Sequence, residues 1–230
     1  VELSREEMAM YEALRQQAVT KLADSDAAAG HKHLQVLAEI MKLRRACCHS
    51  QLVMPEAPLP SAKLQLFGEV LTELLENRHK ALVFSQFVDH LEIIRNYLYE
   101  QSSKYQYLDG STPTKERKKR VDAFQSGDGD VFLISLKAGG TGLNLTAADY
   151  VIHMDPWWNP AVEDQASDRA HRIGQQRPVT IYRLVAKDTI EDKIVDLHHH
   201  KRDLADSLLE DADVSGKIST QELLQLIQER

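Results

Sequence analysis

The spacing of apolar side chains along this chain changes near residue 80. Before that point apolar residues recur every three or four positions, which is the period of a helix with one buried face. This pattern predicts three helices, over 3–24, 31–48 and 61–77. Three prolines fall between Met54 and Pro60, and they predict an extended loop between the second helix and the third.

After residue 80, short apolar runs alternate with amphipathic stretches. The apolar runs predict strands over 81–85, 105–108, 130–135, 150–154 and 179–185. The amphipathic stretches predict helices over 87–101, 114–125, 160–172, 189–209 and 220–229. Such alternation is typical of an α/β fold, in which a mainly parallel sheet carries helices on both faces. Ligands of these sheets bind at the carboxyl ends of the strands, so the segments that follow the strands are the candidates for function.

The same pattern divides the chain into three regions. Residues 1–60 are expected to form a helical extension without a core of its own, 61–209 the α/β domain, and 210–230 an acidic turn with a last helix. The chain begins with Val1 where a natural reading frame begins with methionine, which indicates a piece of a longer protein.

Composition and charge set broad limits on the class of protein. Charged residues make up 27% of the chain and hydrophobic residues 43%, and no apolar run is long enough to span a bilayer. Cys47 and Cys48 are adjacent, which suits neither a disulfide nor a zinc site, so a reduced cytoplasmic protein without a metal is expected. The net charge of −7 does not suggest a nucleic-acid partner, although basic residues cluster at 42–45 and 115–120.

Candidate chemistry is concentrated between Ile134 and Gln175. A glycine-rich loop leaves one predicted strand there, and glycines allow backbone amides to approach a phosphate closely. The next predicted strand ends in a turn with two tryptophans, and arginines follow it. The loop residues of interest are Gly139, Gly140, Thr141, Gly142 and Asn144.

The arginines are spaced so that one helix would align them. Gln165, Arg169 and Arg172 lie at i, i+4 and i+7, so a helix over 160–172 would place them on one stripe. Two guanidinium forks on one stripe are suited to a polyphosphate. From spacing alone, however, a solvated helix face with salt bridges to the acidic residues within 163–168 is the favoured interpretation.

Four ordered stretches resemble motifs of the SWI/SNF-type (sucrose-non-fermenting) ATPases, a family of double-stranded DNA translocases. The stretches are LVFSQF at 82–87, YLDGST at 107–112, SLKAGGTGLNL with the following DPWWNP at 135–160, and DQASDRAHRIGQ at 164–175. The resemblance implies the C-terminal lobe of such an ATPase, of bacterial type. It also implies a three-layer RecA-like, P-loop NTPase-like fold with an N-terminal helical extension.

The resemblance reverses the interpretation of the arginines. In this family two RecA-like lobes close on one ATP, so Arg169 and Arg172 would act as catalytic arginine fingers and Gln165 would orient them. The sequence contains neither G-x-x-x-x-G-K-[ST] nor D-E-x-H. ATP and Mg²⁺ are therefore expected only in the full-length protein, held by an upstream ATP-binding lobe of the same polypeptide. The piece from Val1 onward is expected to be inactive alone.

Contacts with the DNA backbone are also implied by the resemblance. The residues expected to make these contacts are Ser85, Gln86, Gly110, Ser111, Thr112, Arg117 and Trp158. The loop 139–144 is expected to link ATP binding to DNA binding. Hydroxyl, amide and backbone groups are suited to phosphate oxygens and carry no sequence code, so double-stranded DNA is the expected partner without sequence preference. Such a protein is expected in the bacterial nucleoid, or in the nucleus of a eukaryote.

Three other functions stay open at this point. The chain could be a non-catalytic nucleic-acid-binding regulatory module of the same fold, or the lobe of an RNA helicase. Residues 211–222 also match the ligand spacing of a calcium-binding EF-hand loop, which would indicate a calcium-linked interaction protein. Ser219 and Glu222 alternatively cap the last helix.

Overall fold

The computed structural model of the chain describes residues 1–138, 143–205 and 218–230. Within these ranges there are eight α-helices and five β-strands. The helices are α1 (Arg5–Ala23), α2 (Ala29–Cys48), α3 (Ala62–Glu76), α4 (Val88–Glu100), α5 (Thr114–Gln125), α6 (Pro160–Ser167), α7 (Ile190–Ala205) and α8 (Thr220–Gln228). The strands are β1 (Ala81–Ser85), β2 (Tyr105–Leu108), β3 (Val131–Ser135), β4 (Tyr150–His153) and β5 (Thr180–Arg183).

The five strands form one sheet in the order β2-β3-β1-β4-β5, and every neighbouring pair is parallel. The α/β fold predicted from the pattern is therefore confirmed. The central strand β1 is buried over its whole length because it has a strand on each side and is covered on both faces. This position explains why residues 81–85 form an apolar run rather than an alternating pattern.

Side chains on one face of the sheet pack with α5 and α6. Leu82 and Phe84 lie two positions apart on β1 and share a buried cluster with Phe124 of α5 and Ala166 of α6. Helix α4 also contacts β1 and β3. The packing fixes the strand ends, and therefore the segments that leave them.

The chain folds into two compact units, which are named here the sheet unit and the helical unit. The sheet unit consists of Leu64–Trp157 and Ala161–Leu184, and the helical unit of Val1–Lys63, Trp158–Pro160 and Val185–Arg230. The helical unit has its own core, formed by buried apolar side chains of α1, α2, α7 and α8, including Leu22, Ile40, Leu43, Ile190, Ile194, Leu223 and Ile227.

This division differs from the boundaries predicted after residues 60 and 209. The first predicted boundary lies close to Lys63, and residues 1–60 share their core with α7 and α8 instead of forming one alone. Apolar periodicity shows which face of a helix is buried but not which helix covers it. In the described part of the chain, no helix is both long and apolar enough to pass through a membrane.

Candidate functional site at the carboxyl edge of the sheet

The four sequence motifs begin at one edge of the sheet. Strands β1, β2, β3 and β4 are parallel, so the segments that follow Ser85, Leu108, Ser135 and His153 all leave from their carboxyl ends. This placement was predicted from the pattern and is confirmed. Ligands of parallel sheets bind at this edge.

The arginine segment leaves helix α6 earlier than predicted. Helix α6 ends at Ser167, and the amide of Arg169 donates to the carbonyl of Ala166 (3.3 Å) in a tighter turn. The carbonyl of Arg169 accepts from the amide of Leu145 (3.0 Å), a partner outside the helix. The prediction that one helix over 160–172 carries Gln165, Arg169 and Arg172 on one stripe is therefore wrong, because α6 ends at Ser167 and Leu145 binds the carbonyl of Arg169.

The two arginines lie in different environments. Arg169 is only 7% exposed, and its guanidinium carbon is 5.4 Å from the ring centre of Phe84. Burial, and next the positive charge of Arg172, lower the pKa of Arg169 to about 10. Arg172 is exposed and donates to the carbonyl of Leu143 (3.0 Å), and Gln165 is also exposed. Arg172 is thus the arginine of the pair that can reach a ligand without leaving a buried position.

The salt-bridge interpretation of this segment is not supported at Glu163. This carboxylate is 2% exposed, its Oε2 lies 2.9 Å from Nε of Arg183, and its Oε1 accepts from the amide of Trp157 (2.7 Å). Burial raises the pKa of Glu163, and those two partners partly oppose that effect. Glu163 therefore joins the turn after β4 to the end of β5 and pairs there with Arg183.

Ser85 and Gln86 follow β1 and are both buried. The hydroxyl of Ser85, which is 1% exposed, donates to Oδ1 of Asp155 (2.5 Å) and accepts from the amide of Phe87 (3.1 Å). The backbone amide of Gln86 donates to Oδ2 of Asp155 (3.4 Å). The structure thus gives Ser85 a structural role between β1 and the turn after β4. Both side chains are buried, and their contact with DNA stays a prediction.

The loop after β2 is organised around a carboxylate. Oδ1 of Asp109 accepts from the amide (2.8 Å) and the hydroxyl (2.6 Å) of Ser111, and Oδ2 accepts from the hydroxyl of Tyr107 (2.6 Å). The hydrogen bonds from Ser111 and Tyr107 lower the pKa of Asp109 to about 2. Gly110 and Ser111 are exposed as predicted for a surface contact, whereas Thr112 is 8% exposed and accepts from the amide of Asp109 (3.1 Å).

Arg117 of α5 binds three backbone carbonyls. Its guanidinium donates to the carbonyls of Ala138 (2.6 Å), Thr112 (2.9 Å) and Asp109 (3.2 Å). The fork therefore joins the loop after β2 to the turn after β3, where the glycine-rich loop begins. Arg117 was predicted to contact DNA, but the structure shows its donors bound within the protein.

Of the two adjacent tryptophans, Trp158 is buried and Trp157 is the more exposed. Trp158, predicted to meet the duplex, is 8% exposed in the core of the helical unit, with the guanidinium carbon of Arg44 5.5 Å from its ring centre. Trp157 is only partly buried, and the ammonium of Lys137 lies 5.6 Å from its ring centre in the sheet unit. Trp158 is thus largely buried and Trp157 is the more exposed ring, and the contact of Trp158 with the duplex stays a prediction.

Two predicted features lie wholly or partly outside the described residues. Gly139, Gly140, Thr141 and Gly142 are outside them, and Asn144, which follows, is exposed. Most of the calcium candidate, 211–217, is also outside them. In its described part, the hydroxyl of Ser219 accepts from the amide of Glu222 (3.1 Å) and caps α8, as the alternative interpretation predicted.

One residue of the motif was overlooked in the sequence. The side-chain amide of Gln175 donates to the carbonyls of Ala148 (2.8 Å), Ala170 (2.9 Å) and Thr146 (3.1 Å). It therefore connects the arginine segment to the segment that follows the glycine-rich loop. A glutamine after a glycine is ordinary in a loop, so nothing in the spacing indicated this role.

The edge also carries basic side chains on α5. Lys115, Lys118 and Lys119 are exposed and lie at i, i+3 and i+4, which places them on one side of the helix. Across the ranges that the structure describes, none of the three has an ion pair. Exposed lysines without acidic partners attract anions, and Lys115 follows shortly after the exposed Ser111.

Comparison with known proteins gives a consistent result. The helicase conserved C-terminal domain matches residues 62–174. An uncharacterized ATP-dependent helicase of Mycoplasma genitalium is 37% identical over 230 residues, covering 99% of this chain and 22% of that protein. The chain spans about a fifth or less of the length of the curated relatives it matches.

Two solved structures from Sulfolobus solfataricus are similar along almost the whole chain. The SWI2/SNF2 ATPase C-terminal domain is 31% identical with a TM-score of 0.78, covering 99% of this chain and 95% of that one. The SWI2/SNF2 ATPase core in complex with double-stranded DNA is 31% identical with a TM-score of 0.79, covering 99% of this chain and 48% of that one.

Proposed function

This chain belongs to the C-terminal domain of the SWI2/SNF2 family of helicase-like ATPases, and we propose that it is the second motor lobe of an ATP-dependent double-stranded DNA translocase. The RecA-like fold of this lobe and its likeness to ATP-dependent helicases are the established part. The proposal adds what the lobe contributes: an arginine for the transition state of ATP hydrolysis and a surface for the DNA backbone.

The observation that carries the proposal is the position of Arg172. Its side chain is exposed and donates to the carbonyl of Leu143, which directly follows the glycine-rich loop in the sequence. A phosphate bound beside Leu143 would meet a guanidinium that is charged and already oriented. Arg169, which is buried, would support the local positive potential rather than reach the phosphate.

The remaining parts of an ATPase site would come from another lobe. Phosphoryl transfer needs a phosphate cradle with a lysine, Mg²⁺ on a carboxylate, and a positioned water, and the sequence lacks the motifs for these parts. An upstream ATP-binding lobe of the same polypeptide would hold ATP and Mg²⁺. Arg172 would then act only when the two lobes close, which couples hydrolysis to their movement.

Double-stranded DNA is the partner that the surface suits best. A solved structure with 31% identity to this chain is a complex with double-stranded DNA. The exposed Ser111 and Gly110 and the lysines of α5 offer donors and positive charge to phosphates, without groups arranged to read bases. We propose binding that does not depend on sequence and that weakens steeply with salt.

The role of Arg172 can be tested by ATPase assays on the full-length protein, with and without double-stranded DNA. Arg172→Ala should lower the DNA-stimulated kcat by on the order of 10³ and leave DNA affinity nearly unchanged. Residues 1–230 alone should show no turnover. Turnover by this piece would mean that it contains a nucleotide cradle, and a normal kcat in Arg172→Ala would leave only a non-catalytic binding module.

Arg177→Ala provides the matched control. Arg177 is exposed on the same segment, but its guanidinium lies 3.4 Å from Asp149, at the opposite end of β4. Losing this charge should leave kcat within about threefold, because the buried Asp149 keeps His79 as a second partner (2.6 Å) and lies at the end of β4 away from the strand ends that carry the motifs. If Arg172→Ala and Arg177→Ala both lower kcat strongly, the effect comes from the loss of positive charge in this segment and not from a specific arginine finger.

The DNA surface can be tested by the salt dependence of binding. Lys118→Gln should reduce the slope of log K against log salt concentration by about 0.9 if the lysine contacts one phosphate. Lys104→Gln is the control, because Lys104 is exposed just before β2, at the amino edge of the sheet. Equal slopes for both variants and the unmodified protein would exclude the α5 surface.

A further inference from the structure

We propose that Gln175 is a positioning residue that fixes Arg172 for catalysis, an inference that rests on the proposed function of Arg172 as an arginine finger. The need for such a residue follows from the end of α6 at Ser167. Helical-type hydrogen bonds continue after α6 only as far as the amide of His171, which donates to the carbonyl of Ser167 (3.2 Å), so no regular helix holds Arg172 itself. Its guanidinium donates to the carbonyl of Leu143 (3.0 Å), and other bonds must hold its backbone in place.

The side-chain amide and the backbone amide of Gln175 both bind carbonyls of this turn. Its Nε2 donates to the carbonyl of Ala170 (2.9 Å), which closes a short loop with Arg172 at its middle. Within this loop the backbone amide of Gln175 donates to the carbonyl of Arg172 (3.0 Å). Gly174 has φ +104°, a conformation that side chains other than glycine rarely adopt, so the turn needs glycine there.

The side-chain amide of Gln175 also binds this turn to another part of the sheet unit. Nε2 of Gln175 also donates to the carbonyls of Ala148 (2.8 Å) and Thr146 (3.1 Å), and its Oε1 accepts from the amide of Arg177 (3.1 Å). Every polar atom of the side chain is therefore engaged with backbone. Two N–H groups serve three carbonyls, so a side chain without donors would leave all three short of a partner.

A second glutamine holds the segment that receives these bonds. Gln125, the last residue of α5, accepts from the amide of Ala147 (2.7 Å) and donates to the hydroxyl of Thr146 (3.2 Å). Residues 146–148 are thus held by α5 on one side and by Gln175 on the other. Since residues 146–148 are fixed, the side chain of Gln175 holds the backbone of the turn that carries Arg172, while the carbonyl of Leu143 holds the guanidinium.

The energetic consequence should appear in the transition state. A finger displaced by about 1 Å costs roughly 10²-fold in rate, because its charge no longer meets the developing charge on the phosphate. Ground-state binding of ATP depends mainly on the cradle of the other lobe. Loss of Gln175 should therefore lower kcat and leave KM for ATP almost unchanged.

The test uses DNA-stimulated ATPase activity of the full-length protein in a double-mutant cycle. Gln175→Glu keeps the size of the side chain but faces three carbonyls with an acceptor, and it should lower kcat by about 10²-fold. Gln175→Met removes the donors without adding charge and serves if the first variant folds poorly. In the Arg172→Ala background, neither substitution should lower kcat further, because the finger is already gone.

The control and the alternative outcomes separate this inference from the proposed function. Gln176→Glu makes the same change at an exposed neighbour, whose side chain makes one long hydrogen bond to the carbonyl of Gly174 (3.3 Å), and should keep kcat within about twofold. A normal kcat in Gln175→Glu, together with a collapse in Arg172→Ala, would overturn only the positioning role. Equal losses from Gln175→Glu with and without Arg172 would show a merely structural residue. A normal kcat in Arg172→Ala would overturn the proposed function itself.

Discussion

The ammonium of Lys63 lies 2.6 Å from the carboxylate of Glu191, and both side chains are almost fully excluded from solvent. The same oxygen of Glu191 accepts from the amide of Ala186 (2.9 Å). This ion pair joins residues 128 positions apart in the chain and lies within the helical unit. Burying two charges is costly, and only their mutual attraction and additional hydrogen bonds offset that cost.

Removing one partner of this pair should therefore destabilise the protein strongly. Lys63→Met leaves a buried carboxylate without its ammonium and should lower the free energy of unfolding by about 3–5 kcal/mol. The double variant Lys63→Met/Glu191→Leu should lose much less than the sum of the single variants. Urea denaturation followed by circular dichroism measures both quantities.

An exposed ion pair of the same unit serves as the control. Lys187 lies 3.3 Å from Glu2, and both side chains are largely exposed. Lys187→Met should change the free energy of unfolding by less than about 1 kcal/mol, because solvent screens the pair. Similar losses at Lys63 and Lys187 would contradict the special cost assigned to the buried pair.

His153 should make stability depend on pH. It lies at the end of β4, stacks on Phe84 with ring centres 5.4 Å apart, and Nε2 lies 3.0 Å from the hydroxyl of Ser167. Burial, and next the positive charge of Arg183, lower the pKa of His153 from 6.5 to about 4. The folded state thus excludes a proton that the unfolded state accepts.

The sign of this effect follows from the lowered pKa. Its contribution is fully present above pH 6.5, is lost as the pH falls towards 4, and amounts to about 3 kcal/mol. His153→Gln should be less stable at pH 7 but should lose less stability between pH 7 and pH 4. Denaturant titrations at several pH values measure this slope. Parallel pH profiles for both proteins would show that other groups cause the dependence.

The sequence predicted the sheet well because local pattern determines it. Leu82, Val83 and Phe84 form an apolar run of strand length between polar neighbours, which indicates a central strand with both faces covered. Short apolar strands alternating with helices leave few arrangements other than a parallel sheet. The carboxyl edge, and thus the location of the candidate site, follows from that arrangement.

The roles of single side chains could not be predicted because distant partners decide them. Ser85 was expected at the surface, but its hydroxyl is bound by Asp155, 70 positions away. Helix α6 was expected to continue through Arg172, but Leu145 takes the carbonyl of Arg169. Periodicity records which residues are buried and contains no information about these partners.

Arg117 offers a test that separates a structural clamp from a DNA contact. Its guanidinium fork binds carbonyls of Asp109, Thr112 and Ala138, a geometry that an ammonium cannot reproduce. Arg117→Lys should therefore lower the free energy of unfolding by about 1–3 kcal/mol despite keeping the charge. Thermal or urea unfolding measures the loss, and Lys104→Met, a change at an exposed site, is the control. If Arg117→Lys keeps the stability but weakens DNA binding, Arg117 contacts a DNA phosphate, as the sequence predicted.

The adjacent tryptophans should respond differently to the same substitution. Trp158 lies in the core of the helical unit with Ile190 and Ile194, so Trp158→Ala should lower the free energy of unfolding by about 3–5 kcal/mol. Trp157 is only partly buried beside Lys137, and Trp157→Ala should cost less.

The effect on DNA should have the opposite order. If the partly exposed ring of Trp157 approaches the duplex, its removal weakens DNA binding while most of the stability remains. At a temperature well below both unfolding transitions, Trp158→Ala should bind DNA nearly as well as the unmodified protein. Fluorescence anisotropy with a labelled duplex measures both affinities. If Trp158→Ala loses DNA binding but not stability, Trp158 contacts the DNA in a position more exposed than the one in this structure.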